Sequence, residues 1–230
     1  MPPELACAAS TLTATALPLA PEWVEAVRTP VSVHYASGDI AAPVVCVATA
    51  DAVRLPHSVV VAELPTGSFT PRVNRWWTPP RPSGLTAPDP GCWARFAGSE
   101  YDDVDAAALL GRGAGLTPDG DDVLAGALVA GHATGHPALP RWRRDTVRAL
   151  STRRTTAVSV GMLHSALDGW AAPQLADAVE ALCADCAAET VAADAAVAAL
   201  LAVGHSSGRH LLDGVLHVLN THPSRQQGAA

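Results

Sequence analysis

The pattern of apolar and polar positions changes character part-way along the chain. Three short runs in the first part are rich in β-branched side chains: residues 31–35, 44–49 and 58–64. Turn-forming residues separate them, among them Gly38 with Asp39. Runs of this length between turn signals are typical of β-strands, so we predict three strands here.

Residues 65–98 follow a different pattern, dense in Pro, Gly, Arg and Trp. Such a composition forbids a regular helix and predicts a wrapped loop or irregular strands. We expect Trp76, Trp77 and Trp93 to anchor this segment to the core rather than to form a stacking platform.

Beyond Glu100 apolar residues recur at helical spacing, and glycines mark almost every junction. Seven helices are predicted, at residues 104–110, 122–133, 141–150, 156–168, 173–187, 189–203 and 209–219. We therefore predict an α+β fold with a small N-terminal β-rich domain, residues 1–100, and a mostly helical C-terminal domain, residues 101–222. The polar tail, residues 223–230, is predicted to be disordered.

Composition and charge narrow the classes of function. The chain has 15 Lys and Arg against 22 Asp and Glu, a net charge of −7, and no solid basic block, which argues against nucleic acid as a partner. Residues 1–21 lack the positive start of a secretory signal, and no segment has the roughly 18 uninterrupted apolar residues of a membrane span. We expect a cytoplasmic protein that does not enter membranes.

The five cysteines form no regular framework, and an odd number fits reduced thiols. Cys183 and Cys186 form a CxxC pair inside a predicted helix, without a second pair at zinc-site spacing. We predict a buried structural role for them.

The segment 111–122 is the most informative stretch, because it packs glycines, Pro118 and three acids directly before an apolar helix. Free N–H groups at a helix start can hold an anion, and glycines let a ligand approach the backbone closely. Asp121 and Asp122 would repel an anion unless a cation such as Mg²⁺ lay between them. The alternative is structural: Asp119 caps the helix and the other two acids complement its dipole.

Residues 204–208 form a second glycine-bounded junction between two predicted helices. The hydroxyls of Ser206 and Ser207 and the flexible backbone can bind an anion, and His205 can act as acid, base or donor. Alternatively, one of the serines caps the last helix. We predict that this junction and the first one face a common pocket.

Hydroxyl and guanidinium groups cluster in a third element, residues 151–156, with Ser159 following. Arg153 can bind a phosphate or carboxylate through two parallel hydrogen bonds. Capping of the next helix by Thr155 is the structural alternative. On the last predicted helix, His210, Asp213 and His217 share one face, which we interpret as a solvated polar face rather than a metal site.

Taken in order, three motifs resemble the signature of the AllH-like family: residues 113–122, then Thr155, Thr156 and Ser159, then residues 204–208. That family includes a subunit of bacterial oxamate carbamoyltransferase. The resemblance implies membership of a multi-subunit enzyme of purine or allantoin breakdown, in which a carbamoyl group is exchanged between oxamate and phosphate to give carbamoyl phosphate.

Under this hypothesis the three motifs converge on a pocket for carbamoyl phosphate or a related small anionic carboxamide. His205, Asp121 and Asp122 are the catalytic candidates, and Asp121 and Asp122 are the candidate Mg²⁺ ligands. The substrate-binding candidates are Gly115, Thr117, Gly120, Arg153, Thr155, Thr156, Ser159, Ser206, Ser207 and Gly208. A hetero-oligomer with other carbamoyltransferase subunits is implied.

Two positions depart from the pattern that the resemblance leads us to expect. Asp119 occupies a position where the family is expected to have Ser, and His210 one where it is expected to have Asp. The sequence shows no activated nucleophile and no complete catalytic triad. A second hypothesis therefore remains, a non-catalytic assembly or regulatory subunit whose glycine-rich loops bind a partner chain.

Overall fold

A computed structural model of the protein describes residues 2–18, 23–36, 44–89, 92–96, 103–152, 155–184 and 190–223. Within these residues a six-stranded sheet is followed by a region of seven α-helices, so the predicted α+β class is confirmed. Glu100, where we predict the change of domain, and nearly all of the predicted tail lie outside the described residues.

The sheet contains β1 (Glu4–Ser10), β2 (Val24–Arg28), β3 (Ser32–Ala36), β4 (Val45–Ala48), β5 (Ser58–Val61) and β6 (Thr70–Trp77). Their order across the sheet is β2-β3-β4-β5-β1-β6. The pairs β4–β5 and β1–β6 are parallel, and the other neighbours are antiparallel. The three predicted strands are confirmed as β3, β4 and β5, which lie next to one another.

Both faces of the central strands are covered. One face carries the apolar cluster that includes Val33, Val47 and Val59, each fully buried. The other carries His34, which pairs with Cys46 across β3 and β4. A strand covered on both sides has no polar face, which explains why β4 reads as an uninterrupted buried run.

The other three strands, β1, β2 and β6, were not predicted as regular strands. β1 is rich in alanine and lacks β-branched residues, so its sequence carries no strand signal, and pairing with β5 and β6 decides its conformation. β6 lies in the Pro- and Trp-rich segment, where an edge position lets the strand accommodate Pro71. Trp93 is buried as predicted, but Trp76 is 48% exposed, so its expected anchoring role is wrong.

The helices are α1 (Ala106–Leu109), α2 (Asp119–Thr134), α3 (Leu139–Thr152), α4 (Ala157–Leu167), α5 (Pro173–Cys183), α6 (Thr190–Leu201) and α7 (Ser207–Thr221). All seven predicted helices are confirmed, with bounds shifted by a few residues. Cys183 is half-buried, whereas Cys186 lies outside the described residues. Among the described helices, none has the length and apolar character to cross a membrane.

α2 lies at the centre of the helical region and is buried along nearly its whole length. Its closest neighbour is α7, and glycines permit the approach from both sides. A Cβ on Gly126 of α2 would lie 2.1 Å from the carbonyl oxygen of Leu211, and a Cβ on Gly214 of α7 would lie 2.1 Å from that of Val123. The backbones of α2 and α7 are therefore closer together at these two positions than a residue with a Cβ atom would permit.

The polar residues of α7 are more buried than the sequence predicts. Asp213 is 3% exposed and His217 is 7% exposed. Arg209 pairs with Asp213 at 3.0 Å. The expected solvated face is therefore wrong, because two of its three residues are buried.

α4 connects the helical region to the sheet, because it packs on β2, β3 and β4. The fully buried ring of His57, next to β5, lies over Gly161, where a Cβ would be 2.4 Å from Nε2. Ser165 Oγ lies 3.4 Å from Nδ1 of the same ring. Burial lowers the pKa of His57 to about 3, so the ring is neutral.

Candidate functional site

The start of α2 differs from the capped helix that one alternative predicts. The residue before the helix is Pro118, which offers no side-chain cap, and Asp119 is the first helical residue. The N–H of Gly120 donates to Arg112 O at 2.9 Å, and that of Asp121 to Pro118 O at 2.9 Å. These backbone donors are thus used within the loop, and they are not free to hold an anion.

Asp121 closes the glycine-rich loop. Its side chain is fully buried, with Oδ1 accepting from the N–H of Gly111 at 2.7 Å and Oδ2 accepting from the hydroxyl of Thr155. A buried carboxylate needs such donors to offset the loss of hydration. Asp121 therefore links the start of the loop between α1 and α2 to the residues just before α4.

The two glycine-bounded junctions meet. Thr117 Oγ1 and Ser207 Oγ are 2.7 Å apart, although 90 residues separate them in the chain. The residue before α7 is Ser206, and its hydroxyl makes no capping bond, so the capping alternative is wrong here as well. The prediction that both junctions face a common pocket is confirmed.

Asp122 lies beside this hydroxyl pair. It is 1% exposed, and neither carboxylate oxygen has a partner in hydrogen-bonding geometry among the described residues. Burial raises the pKa of Asp122 to about 7, and the nearby hydroxyls of Ser207 and Thr117 oppose this rise without cancelling it. The carboxyl group can therefore gain or lose a proton near neutral pH.

A cavity of about 520 Å³ joins the junctions to the sheet. Its volume is in the range of small-molecule sites. Both junctions contribute residues at one end, Asp122, Ala125 and Val129 contribute from α2, and α4 and the sheet form the other walls. On the sheet side the lining residues are Thr29, Val31, Ser32, His34, Cys46, Ala52, Val53, Leu55 and Pro56.

The helical part of the chain is similar to a known protein family. Residues 109–219 match the family described as oxamate carbamoyltransferase subunit AllH. This part of the chain is similar to that family, and we call residues 109–219 the AllH region. It starts at the last residue of α1 and ends within α7, so it contains both junctions and Asp122. No solved structure matches the chain.

The AllH region thus supplies most, but not all, of the cavity. Strands β3 and β4 precede residue 109, so the sheet wall comes from outside the matched region. This wall was missed in the sequence, although alternation in β3 signals it, with Val33 turned to the apolar cluster and Ser32 and His34 to the cavity. Burial lowers the pKa of His34 to about 4 and raises that of the Cys46 thiol to about 12, so both are neutral.

The predicted site residues divide into two groups. Those that line the cavity are Gly115, Thr117, Asp122, His205, Ser206 and Ser207. Those that lie outside its lining are Gly120, Asp121, Thr155, Thr156, Ser159 and Gly208. Arg153 lies outside the described residues.

Hydroxyl groups before α4 hold the loops in place. Thr156 caps α4 by accepting from the N–H of Ser159 at 3.1 Å, and its hydroxyl donates to Leu116 O. The capping residue is therefore Thr156, not Thr155 as the alternative had it. Ser159 itself is fully buried. These residues position the cavity mouth rather than face it.

The two departures from the expected AllH pattern lie against each other. His210 Nδ1 is 3.2 Å from Oδ1 of Asp119. The hydroxyl of Ser206 donates to the same oxygen at 3.4 Å. An acidic residue is therefore present at this contact. It is Asp119 of α2, whereas the expected pattern has an acid at position 210 of α7.

Asp121 and Asp122 are the predicted Mg²⁺ ligands. Both oxygens of Asp121 already accept hydrogen bonds, so Asp122 is the single predicted ligand that lines the cavity. Within the described residues, no group of three or more His, Cys, Asp or Glu side chains is arranged to hold a metal. The predicted two-carboxylate arrangement does not fit the geometry, and no step below depends on a metal.

Proposed function

We propose that this chain is a subunit of an oxamate carbamoyltransferase-like enzyme, and that the cavity mouth binds the carboxamide part of its substrate. The observation that carries the proposal is the buried carboxyl group of Asp122 on the cavity wall, which the hydroxyls of Ser207 and Thr117 approach without a hydrogen bond of good geometry. An unpaired buried carboxylate is costly. An amide N–H is the donor that would satisfy it, and the hydroxyls of Thr117 and Ser207, which line the same cavity, would bond the amide oxygen.

The reaction exchanges a carbamoyl group between the nitrogen of oxamate and a phosphate oxygen. In the direction that gives carbamoyl phosphate, a phosphate oxygen attacks the carbamoyl carbon, the carbon–nitrogen bond to oxamate breaks, and the phosphate proton passes to the nitrogen. Asp122 suits the transfer of this proton, because burial raises its pKa to about 7. His205 at the mouth is the second candidate acid or base.

The phosphate needs a positive partner that the described cavity lining does not supply. Neither Arg nor Lys is among the described residues of the wall. We propose that Arg153, the predicted anion ligand just before Thr155, or a cationic side chain of another subunit provides it. Replacement of Arg153 by Gln is then expected to weaken binding of carbamoyl phosphate more than binding of oxamate.

Titration calorimetry of the purified chain with oxamate and with carbamoyl phosphate tests the proposal. Asp122→Asn is expected to lower oxamate affinity at least tenfold at pH 8, where the carboxylate of the natural protein is charged. Asp177→Asn on the exposed face of α5 is the matched control and is expected to bind normally. Parallel titrations with Mg²⁺ and with EDTA test the Mg²⁺ dependence that the sequence predicts. Equal oxamate affinity in both variants would contradict the assignment of Asp122.

The second candidate function is a non-catalytic assembly or regulatory subunit. The absence of a cationic side chain from the described wall favours it, because a phosphate site would then lie on another chain. In this case the isolated chain binds neither ligand, and carbamoyl transfer by the reconstituted complex is unchanged by Asp122→Asn. Activity of the reconstituted complex therefore separates the two functions.

A further inference from the structure

The cavity is much longer than the mouth alone. α2 contributes Asp122, Ala125 and Val129, which share one helix face over about 10 Å of axial rise. α4 contributes Val158 and Met162 together with Ala166, over about 12 Å. The cavity therefore follows both helices for two turns.

The two helices run in the same direction away from the glycine-rich loop. At their beginnings, the hydroxyl of Thr156 donates to Leu116 O. Near their ends, the ring N–H of His132 donates to Leu167 O at 2.8 Å. Residues of α2 and α4 that follow Asp122 and Val158 are thus successively farther from the mouth.

Polarity changes along this direction. The mouth carries Asp122 and the hydroxyls of Thr117 and Ser207, whereas the helical walls beyond it offer Ala125, Val129, Met162 and their neighbours, all apolar. Trp170, Ala171 and Leu175 contribute further apolar surface. On the sheet side the titratable residues of the wall, His34 and Cys46, are neutral.

We propose that the site takes a carboxamide that carries an apolar substituent, with the amide at Asp122 and the substituent extended between α2, α4 and the sheet. The head group of this ligand rests on the function proposed above. Oxamate has six heavy atoms, and a molecule of that size leaves the apolar part of a cavity of about 520 Å³ unfilled. Apolar walls gain free energy from an apolar group that displaces water, and not from a second polar group.

A series of N-alkyl oxamates tests the proposal, because each retains one amide N–H for Asp122. Calorimetry with the methyl, butyl, hexyl and dodecyl members is expected to show affinity that rises about two- to fourfold per added methylene. The rise is expected to stop once the tail exceeds the depth of the cavity, so the dodecyl member gains nothing over a shorter one. Hexanol, which has a tail without the head group, is expected to bind more weakly than N-hexyl oxamate.

Two variants locate the tail. Met162→Gln on α4 and Leu55→Gln on the opposite wall are both half-buried positions, and Gln nearly preserves the side-chain length. Each is expected to remove most of the gain from methyl to hexyl while leaving N-methyl oxamate affinity within about threefold. Leu201→Gln on the exposed side of α6, 43% exposed, is the matched control and is expected to retain the full gain.

The outcomes separate this inference from the function on which it rests. If oxamate binds through Asp122 but affinity does not change with tail length, the apolar substituent is wrong and the proposed function remains. If tails bind equally with or without the oxamate head, and Asp122→Asn has no effect, the head-group assignment and the proposed function fail together. A gain with tail length that persists in both glutamine variants would show that the tail lies elsewhere, and would overturn the inference.

Discussion

At the scale of single residues, two adjacent acids of one sequence motif have different environments. Asp121 accepts hydrogen bonds from Gly111 and Thr155, whereas both oxygens of its neighbour Asp122 are buried without a partner in hydrogen-bonding geometry. The sequence presents them as an equivalent pair. The two side chains leave the first turn of α2 in different directions. Asp121 therefore binds the loop, whereas Asp122 lines the cavity.

Asp122→Asn is expected to change stability in a pH-dependent way. The carboxyl has its pKa raised to about 7 in the folded state from 3.8, so folding favours the protonated form. Stability from this group is complete below about pH 4 and is lost as the pH rises through about 7. The variant should therefore be more stable than the natural protein at pH 8, by on the order of a few kcal/mol, and the difference should narrow towards pH 4. Chemical denaturation at both pH values measures it, and a difference independent of pH would contradict the assignment.

Thr117→Ala and Ser207→Ala are expected to be coupled, because their hydroxyls are 2.7 Å apart. In a double-mutant cycle on oxamate binding, the interaction free energy should be roughly 0.5–3 kcal/mol. Strictly additive effects would mean that the two hydroxyls act on the ligand independently.

At the scale of elements, the crossing of α2 and α7 sets the position of both junctions. Each helix places a glycine against the backbone of the other, Gly126 against Leu211 and Gly214 against Val123. Because α7 begins at Ser207 and α2 begins at Asp119, this close crossing is what brings Ser207 to Thr117.

Gly126→Ala is expected to destabilise the protein, although alanine normally favours a helix interior by about 1 kcal/mol over glycine. The new Cβ would lie 2.1 Å from a backbone oxygen, which cannot move without separating the helices. We expect a loss of roughly 1–3 kcal/mol in the free energy of unfolding. Gly67→Ala, where nothing lies within 4 Å of the added Cβ, is the control and should be nearly neutral.

At the scale of the whole molecule, the sheet and the helical region are joined through α4 and His57. The ring of His57 is fully enclosed between β5 and α4, and burial lowers its pKa to about 3. This contact fixes the sheet wall of the cavity relative to the AllH region. The cavity therefore depends on residues that lie in both parts of the chain.

Acid is expected to weaken this connection. The unfolded chain binds a proton at His57 near pH 6.5, whereas the folded protein does not until about pH 3. The stability from the neutral buried ring is complete above about pH 6.5 and is lost as the pH falls towards 3. His57→Gln does not titrate, so its destabilisation relative to the natural protein should be largest at pH 7 and should shrink by pH 4. Denaturation curves at the two pH values measure the change, and a constant destabilisation would exclude protonation of His57 as its cause.

The sequence by itself determined which segments become helices and which residues can act at the junctions. Helical periodicity and glycine punctuation are local signals, so all seven helices could be predicted, and so could the meeting of Thr117 and Ser207. β1 and β6 could not, because alanine-rich or Pro- and Trp-rich segments become strands only when partners supply their hydrogen bonds.

Only the tertiary structure decided what the junctions do. In the folded protein the N–H groups of Gly120 and Asp121 are bonded within the loop, the carboxyl of Asp122 is buried without a hydrogen bond of good geometry, and His34 of the N-terminal sheet lines the same cavity. Burial and hydrogen-bond partners depend on groups far apart in the chain, and a linear motif records none of these distances. The cavity, with Asp122 at one end and apolar walls beyond it, is therefore a property of the packed molecule, whereas the residues that line it are properties of the sequence.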